Sequence, residues 1–380
     1  MKRKTVVAIV CFFIGLMQSD ADGRRDTVNV WAIDMTVLET DGQYYAVWSG
    51  WDRYYYNCEC SGQFLYIAPM TFHNEKPYVR LGRRVLLSVP ELPWELRQCE
   101  HISLLEGPSA LYHGDDVFIL YSTRGSWTEH YKIGQLRLKS RKHDPLDPQS
   151  WVKKSTPVFT GVQEKDKAGY CMYGVGHASY VQSPDGKEYL IDYHSKTLRE
   201  PGWKDRKVFM QKFDFNDDGD PVFGMPADSS VPMKRPSGET CIEKEDGVSC
   251  PEETFMNPVY NGADPWILRH DGKYYTCRSG GRSIWVTESR FMTRFEDGQN
   301  FAKARKRVWT LPDENTGKWN IRQLWAPEIY FIDGRWYIFY AAGRQTRAPY
   351  WEQRAGVLIS EDGPFGPYFE HDDKPLFTGD

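Results

Sequence analysis

The sequence predicts an all-β fold, a five-bladed β-propeller. Three observations predict it: a repeated turn-and-strand motif, the spacing of its copies, and the lack of any amphipathic helix of three or more turns between them. The motif pairs a turn glycine with an alternating aromatic strand. It occurs at Asp41-Gly42 before QYYAVWS, His113-Gly114 before DDVFILYS, Asp185-Gly186 before KEYLIDYHS, Asp271-Gly272 before KYYTCRS and Asp333-Gly334 before RWYIFYA. A residue pair such as Asp-Gly between apolar runs is a strong hairpin signal. The glycines at 42, 114, 186, 272 and 334 are 62 to 86 residues apart. That is room for about four strands with loops, the content of one propeller blade.

The elements follow in order. Residues 1–21 read as a secretory signal peptide. Lys2, Arg3 and Lys4 precede an apolar run from Val6 to Met17, and Ser19 and Ala21 are the small residues before a cut. Residues 22–380 are expected to form one propeller domain. Blades occupy 22–216 and 254–380, and the Pro-, Asp-, Glu- and Ser-rich stretch 217–253 reads as a linker. The segments before Gly42 and after Gly334 together make one more blade length, so the chain ends are expected to meet across a closed ring.

Composition narrows the function. The chain has 48 basic and 52 acidic residues, a balance without the basic footprint of a nucleic-acid binder. No stretch after the signal is apolar enough to span a membrane. The 14 Trp and 23 Tyr suit a β-rich core or a sugar-stacking surface. Seven cysteines follow the signal, an odd number, so at least one thiol stays unpaired. Cys241 and Cys250 are expected to pair, and Cys99 to pair with Cys58 or Cys60. No His sits beside them at zinc-ligand spacing.

Each turn is preceded by a short apolar strand that opens on a polar residue: Asp34, Glu106, His177, Asp264 and Glu328. The first strand of a blade lines the channel, so five equivalent positions would bring four carboxylates and one imidazole around one axis. Close, buried carboxylates repel and are costly, which marks them as functional candidates. A pair of them, one protonated and one ionised, is what glycoside cleavage requires. The ordinary reading of an Asp before a strand is a turn or cap residue.

At these motifs the sequence resembles glycoside hydrolase family 43, five-bladed propellers that act on arabinose- and xylose-containing glycans. The segment NPVYNGADPWILRHDGKYY (257–275) resembles the family's first blade and LWAPEIYFIDGRWYIFYAA (324–342) its second. WAIDMTVLETDGQYYAVWSGWD (31–52), LLEGPSALYHGDDVFILYSTRGSW (104–127) and YGVGHASYVQSPDGKEYLIDYHS (173–195) resemble the third, fourth and fifth. In this chain the third blade comes first, an order that reads as a circular permutation, with a fragment of a tandem pair as the alternative.

The resemblance implies Asp264 as general base, Glu106 as general acid and Asp34 as the residue that orients the acid and tunes its pKa. It implies His177 as the channel histidine, a position that often helps hold calcium or another small ion, sometimes through water. No cofactor is required by the chemistry. Arg206 falls where the family places a substrate-contacting arginine, with Arg199 and Lys207 nearby. Trp31 and Trp266 are expected to touch substrate, as is Trp325, while core packing is the ordinary reading for most of the tryptophans. The family inverts configuration, which implies an acid–base separation on the order of 6.5–9.5 Å, enough for a water. The motif flanks most resemble arabinofuranosidases. The expected activity is release of L-arabinofuranose from arabinan or arabino-oligosaccharides by a secreted enzyme. A β-xylosidase, or a non-catalytic carbohydrate-binding propeller, is the alternative.

Overall fold

The computed structural model describes residues 30–51, 61–73, 76–96, 102–163, 169–239, 253–295, 305–347 and 352–377. The signal segment 1–21 and Cys58, Cys60, Cys99, Cys241 and Cys250 lie outside the described residues. Cys171 and Cys277 are free thiols.

Five antiparallel meanders form the blades. The first consists of Trp31–Thr40, Gln43–Trp51 and Ser61–His73, with Lys76–Val79 and Val85–Ser88 outside. The second has Ile102–His113, Asp116–Thr123 and Lys132–Leu138, edged by Trp151–Lys153 and Phe159–Thr160. The third runs Tyr173–Gln182, Tyr189–Lys196, Arg206–Phe215 and Pro221–Val222. The fourth runs Ile267–His270, Lys273–Gly280, Ser283–Ser289 and Arg305–Thr310. The fifth runs Arg322–Ile332, Arg335–Gly343, Arg354–Ser360 and Phe369–Glu370.

Both faces of a blade are covered, which is why the second strands are buried along most of their length. Along Asp116–Thr123, Val117, Ile119 and Tyr121 pack toward the first blade, whereas Phe118 and Leu120 pack toward the third. Further apolar clusters fill the remaining seams: third to fourth around Met210 and Tyr274, fourth to fifth around Ile338 and Leu358, and fifth to first around Tyr337 and Trp48. Val30 and Phe377, at the two ends of the described chain, share that last cluster. Phe377 lies 4.7 Å from the Trp48 ring. The Tyr330 hydroxyl adds polar ties across this seam, at 2.9 Å from Thr36 Oγ1 and as acceptor from the Val37 amide at 3.1 Å.

The turns explain the repeat. Asp41-Gly42, Asp271-Gly272 and Asp333-Gly334 each occupy a two-residue hairpin with positive φ at both positions, a conformation open to Asp and Gly. The second copy differs by one residue. His113 pairs with Asp116, so the turn is Gly114-Asp115, with Gly114 at φ 55°. His113 instead stacks on Phe215, 3.7 Å between ring centroids. Asp185-Gly186 sits in a longer loop between Gln182 and Tyr189. Part of the expected linker is structured: Pro221–Val222 edges the third blade, and Met233–Lys234 pairs with Thr254–Phe255.

Candidate active site

The inner segment of every blade carries a residue at positive φ where regular pairing is interrupted. The residues are Asp34 (49°), Gly107 (53°), His177 (46°), Asp264 (51°) and Ala326 (41°). The breaks fall between Ile33 and Thr36, Glu106 and Ser109, Gly176 and Ser179, and Trp325 and Glu328. The third and fifth blades have a second register shift, between Tyr173 and Gly176 and between Arg322 and Trp325. In the fourth blade the regular ladder begins at Ile267, just beyond Asp264. Proline follows the bulged residue in three blades, at Pro108, Pro265 and Pro327, where no ladder N–H is needed. A bulge re-aims a side chain, and left-handed backbone at a non-glycine residue costs about 1–3 kcal/mol.

This corrects the expected set of five equivalents. Asp34, His177 and Asp264 are the bulged residues of their blades. Glu106 precedes its bulge by one residue and Glu328 follows its own by two. Glu328 is drawn into the seam with the first blade, where it accepts the Tyr330 hydroxyl at 2.5 Å. Burial pushes its carboxyl well above the usual range. Gly107 explains the shift in its blade. A Cβ there would stand 3.0 Å from His177 Nδ1, and its φ is one that L residues rarely adopt.

A second repeated position braces the bulges. Ser49, Ser122 and His194 lie opposite the residue preceding the bulge of their own blade. Each also reaches the next blade. Ser49 Oγ donates to the Leu105 carbonyl at 2.7 Å, Ser122 Oγ accepts the His177 amide at 2.7 Å, and His194 Nδ1 lies 3.2 Å from the Asp264 amide. His194 fits where other blades carry serine because Gly176 lies opposite. Tyr131 fills the space left by Gly176, since a Cβ there would meet its ring at 2.2 Å. Its ring stacks on His194 with centroids 5.4 Å apart.

The carboxylates part company electrostatically. Asp264 Oδ1 faces His177 Nδ1 at 3.4 Å, His194 Nδ1 at 3.3 Å and the Arg206 guanidinium at 3.3 Å. Burial alone would raise its pKa, but these partners together hold it well below the usual carboxylate range. Burial pushes the Glu106 carboxyl up to about 7, with repulsion from Asp264 adding and the Tyr131 hydroxyl opposing. Burial likewise lifts Asp34 to about 7, His177 opposes, and Glu106 and Asp264 add to the rise. Asp34 Oδ2 accepts the Gly107 amide at 3.2 Å, which ties it to the residue after the acid. Burial lowers His194 to about 4, so it is neutral at neutral pH.

Of the three nearby cations, Arg206 reaches Asp264, while Lys207 pairs with Asp205 and Arg199 with Glu129. The tryptophans divide. Trp31 and Trp325 cluster with Ile33 and Ala341 beside the bulges of the first and fifth blades. Trp266 donates its indole N–H to the Ile329 carbonyl at 2.7 Å and lies against Tyr330, 4.8 Å away, in the seam between the fourth and fifth blades. Trp266 is thus packed on one side in that seam and partly exposed on the other.

Around His177 the side chains supply only part of a calcium shell, so an ion there would take most of its oxygens from water. That ion takes 6–8 oxygens, whereas here two imidazoles and one carboxylate oxygen share the space with a guanidinium. Among the described residues, no three His, Cys, Asp or Glu side chains are grouped to hold a metal. No helix among them is long and apolar enough to cross a membrane. His194, Tyr131 and Ser122 were not legible as site residues. For His194 the signal was present in the repeat itself, where HS replaces the usual final serine of the second strand, whereas Tyr131 lies in a loop outside the repeat.

The fold has solved counterparts. The alpha-L-arabinanase of Cellvibrio cellulosa, complexed with arabinohexaose, superimposes with a TM-score of 0.53 over 90% of this chain and 96% of that one, at 15% identity. An exo-1,5-alpha-L-arabinanase from a bovine ruminal metagenomic library gives 0.53 over 92% and 99%, at 13% identity. At such identities these likenesses speak to the fold. In sequence, the extracellular exo-alpha-(1->5)-L-arabinofuranosidase of Streptomyces avermitilis is 30% identical over 213 residues, 54% of this chain and 40% of that protein. Alpha-L-arabinofuranosidase 43 of Humicola insolens is 29% identical over 227 residues, 58% and 42%. The alignments thus span less than half the length of these relatives. The model of the glycosyl hydrolases family 43 matches residues 19–221 and 255–378, nearly the whole ring, and the chain belongs to that family.

Proposed function

We propose that this chain is a secreted, inverting glycoside hydrolase that releases L-arabinofuranose from arabinan or arabino-oligosaccharides. The observation that carries the reading is the opposite displacement of two carboxyls in one buried channel, Glu106 upward and Asp264 downward. Titratable groups whose environments push their pKa values apart mark the acid and the base. Below about pH 7 Glu106 keeps its proton and Asp264 is ionised.

In the reaction, Glu106 gives its proton to the glycosidic oxygen as the bond from that oxygen to the anomeric carbon breaks. A water attacks the same carbon from the opposite face, and Asp264 takes the water's proton. The configuration inverts, and each carboxyl finishes in the other's initial state. Arg206 bonds Oδ1 of Asp264, and His177 and His194 lie 3.4 and 3.3 Å from that same oxygen, so Oδ2 is the oxygen assigned to the water. Asp34, through the Gly107 amide, holds the backbone beside the acid. Burial lifts both Asp34 and Glu106 to about 7, and repulsion between the two disfavours their ionising together.

Arabinose as the released sugar is supported by the names of the relatives above. Secretion is supported by the N-terminal charged and apolar run, and one relative is named extracellular. The test incubates the protein from Asp22 onward with arabino-oligosaccharides and separately with xylo-oligosaccharides, beside Glu106→Gln. Arabinose release that falls 10²–10⁴-fold in the variant, roughly the worth of general acid catalysis, supports the reading. Xylose release instead changes the substrate and keeps the mechanism. Binding without hydrolysis by the unaltered protein overturns the enzyme reading in favour of a carbohydrate-binding propeller.

A further inference from the structure

Two loops from neighbouring blades meet beside the site. One, residues 124–131, joins the second and third strands of the second blade. The other, residues 197–205, makes the same connection in the third. They are clamped together. The Gly202 amide donates to the Trp127 carbonyl at 2.7 Å, and the Trp203 indole N–H donates to Ser126 Oγ at 3.1 Å. The Arg199 guanidinium grips Glu129, with Nη2 to Oε1 at 2.8 Å. Lys196, on the strand leading into the second loop, donates to the Glu200 and Gly202 carbonyls at 2.8 and 3.3 Å. Gly125, at φ 82°, lets the Trp127 ring fold back over its own turn, where a Cβ would meet the ring at 2.8 Å.

The clamp sets the Trp127 and Trp203 rings 6.2 Å apart at 85°, an open aromatic corner. Trp203 remains 48% exposed although its indole N–H already has a partner. The ring is thus fixed in place and left facing solvent, with its face free to meet a ligand. Both ends of the corner connect to the chemistry. The Ser126 amide lies against the Glu106 carboxyl. The Trp203 carbonyl accepts Arg206 Nε at 3.3 Å, and the same guanidinium bonds Asp264.

We propose that the Trp127–Trp203 corner is the subsite for the departing sugar chain. This rests on the reading of Glu106 as the general acid. The acid stands beside the leaving oxygen, so the next residues outward from Glu106 meet the unit that leaves. The apolar C–H face of a neutral pentose stacks on Trp203, and Trp127 closes its side. Arg199 and Glu129 neutralise each other at the loop edge, so the corner selects a neutral sugar over a charged one.

The test compares kcat/KM for α-1,5-arabinotriose with that for methyl α-L-arabinofuranoside, whose leaving group is too small to reach the corner. It is run on the unaltered protein, Trp203→Ala and Trp203→Phe, with melting temperatures alongside. The ratio of the two values is expected to fall about tenfold in Trp203→Ala, mainly through KM, the worth of one aromatic contact. Trp203→Phe is expected to recover most of it. An unchanged ratio, or equal losses on both substrates, overturns the subsite and makes the corner a brace between loops. If the unaltered protein cleaves neither substrate, the underlying reading fails and the subsite with it, an outcome separate from a constant ratio.

Discussion

Asp264 and Glu106 differ by one methylene, yet one is held ionised and the other protonated over the same range of pH. The cause is what each faces. Three nitrogen-bearing side chains converge on Oδ1 of Asp264. Glu106 is buried, with Arg206 only a minor influence on it, and its Oε1 has no hydrogen-bond partner among the described residues. The sign of the pH dependence follows. Activity falls on the alkaline side as Glu106 loses its proton near 7, and on the acid side only as Asp264 gains one. The cost of this arrangement is basicity at Asp264. Arg206→Ala removes one of its partners, so its pKa rises and the acid limb of kcat/KM is expected to move to higher pH. An acid limb that stays in place would mean Arg206 contacts substrate without tuning the base. Asp34, Glu106 and Asp264 were legible in the sequence because each stands just ahead of a repeat. His194 and Tyr131 were not, because they occupy positions that hold serine elsewhere or belong to a loop.

At the scale of the strand, the bulge is the device that builds the site. A regular strand alternates its side chains between the two seams and would send none along the channel. One extra residue at positive φ breaks the alternation and aims a side chain inward. Sequence spacing located the strand but not the bulge, so Glu106 and Glu328 read as equivalents of Asp34. They are offset from it, and Glu328 belongs to a seam. Gly107 is the residue on which the second blade's offset depends. Gly107→Ala introduces strain at φ 53° and presses on His177. It is expected to cost about 1–2 kcal/mol of stability and to lower kcat more than it alters KM. A denaturant titration beside the kinetics checks both. A neutral substitution would show that the backbone relaxes without disturbing the acid.

Across the whole molecule, five apolar seams hold the ring, and the one between the fifth and first blades joins the two ends of the described chain. In the permuted order proposed from the motifs, this seam lies between the blades that resemble the family's second and third. Here Phe377 against Trp48, and Tyr330 against Thr36 and Val37, hold the ends together. Phe377 is fully buried, and Phe377→Ala is expected to cost about 3–5 kcal/mol. The loss should expose the first and fifth blades together in hydrogen exchange. Protection lost evenly around the ring would contradict a local closing seam. The propeller itself was legible because repeats at near-constant spacing leave few other folds. The closure was legible only as a matching of lengths, since contacts between chain ends leave no periodic trace.

The central claim is that Glu106 supplies the proton to the leaving oxygen, and a leaving-group comparison tests it most directly. Glu106→Gln and the unaltered protein would be assayed on arabinotriose and on 2,4-dinitrophenyl α-L-arabinofuranoside, whose leaving group departs without a proton, across the pH range. The expected result is near-complete loss on arabinotriose, substantial activity on the activated substrate, and disappearance of the alkaline limb near pH 7. Equal losses on both substrates with the alkaline limb intact would contradict the assignment and give the proton to another group.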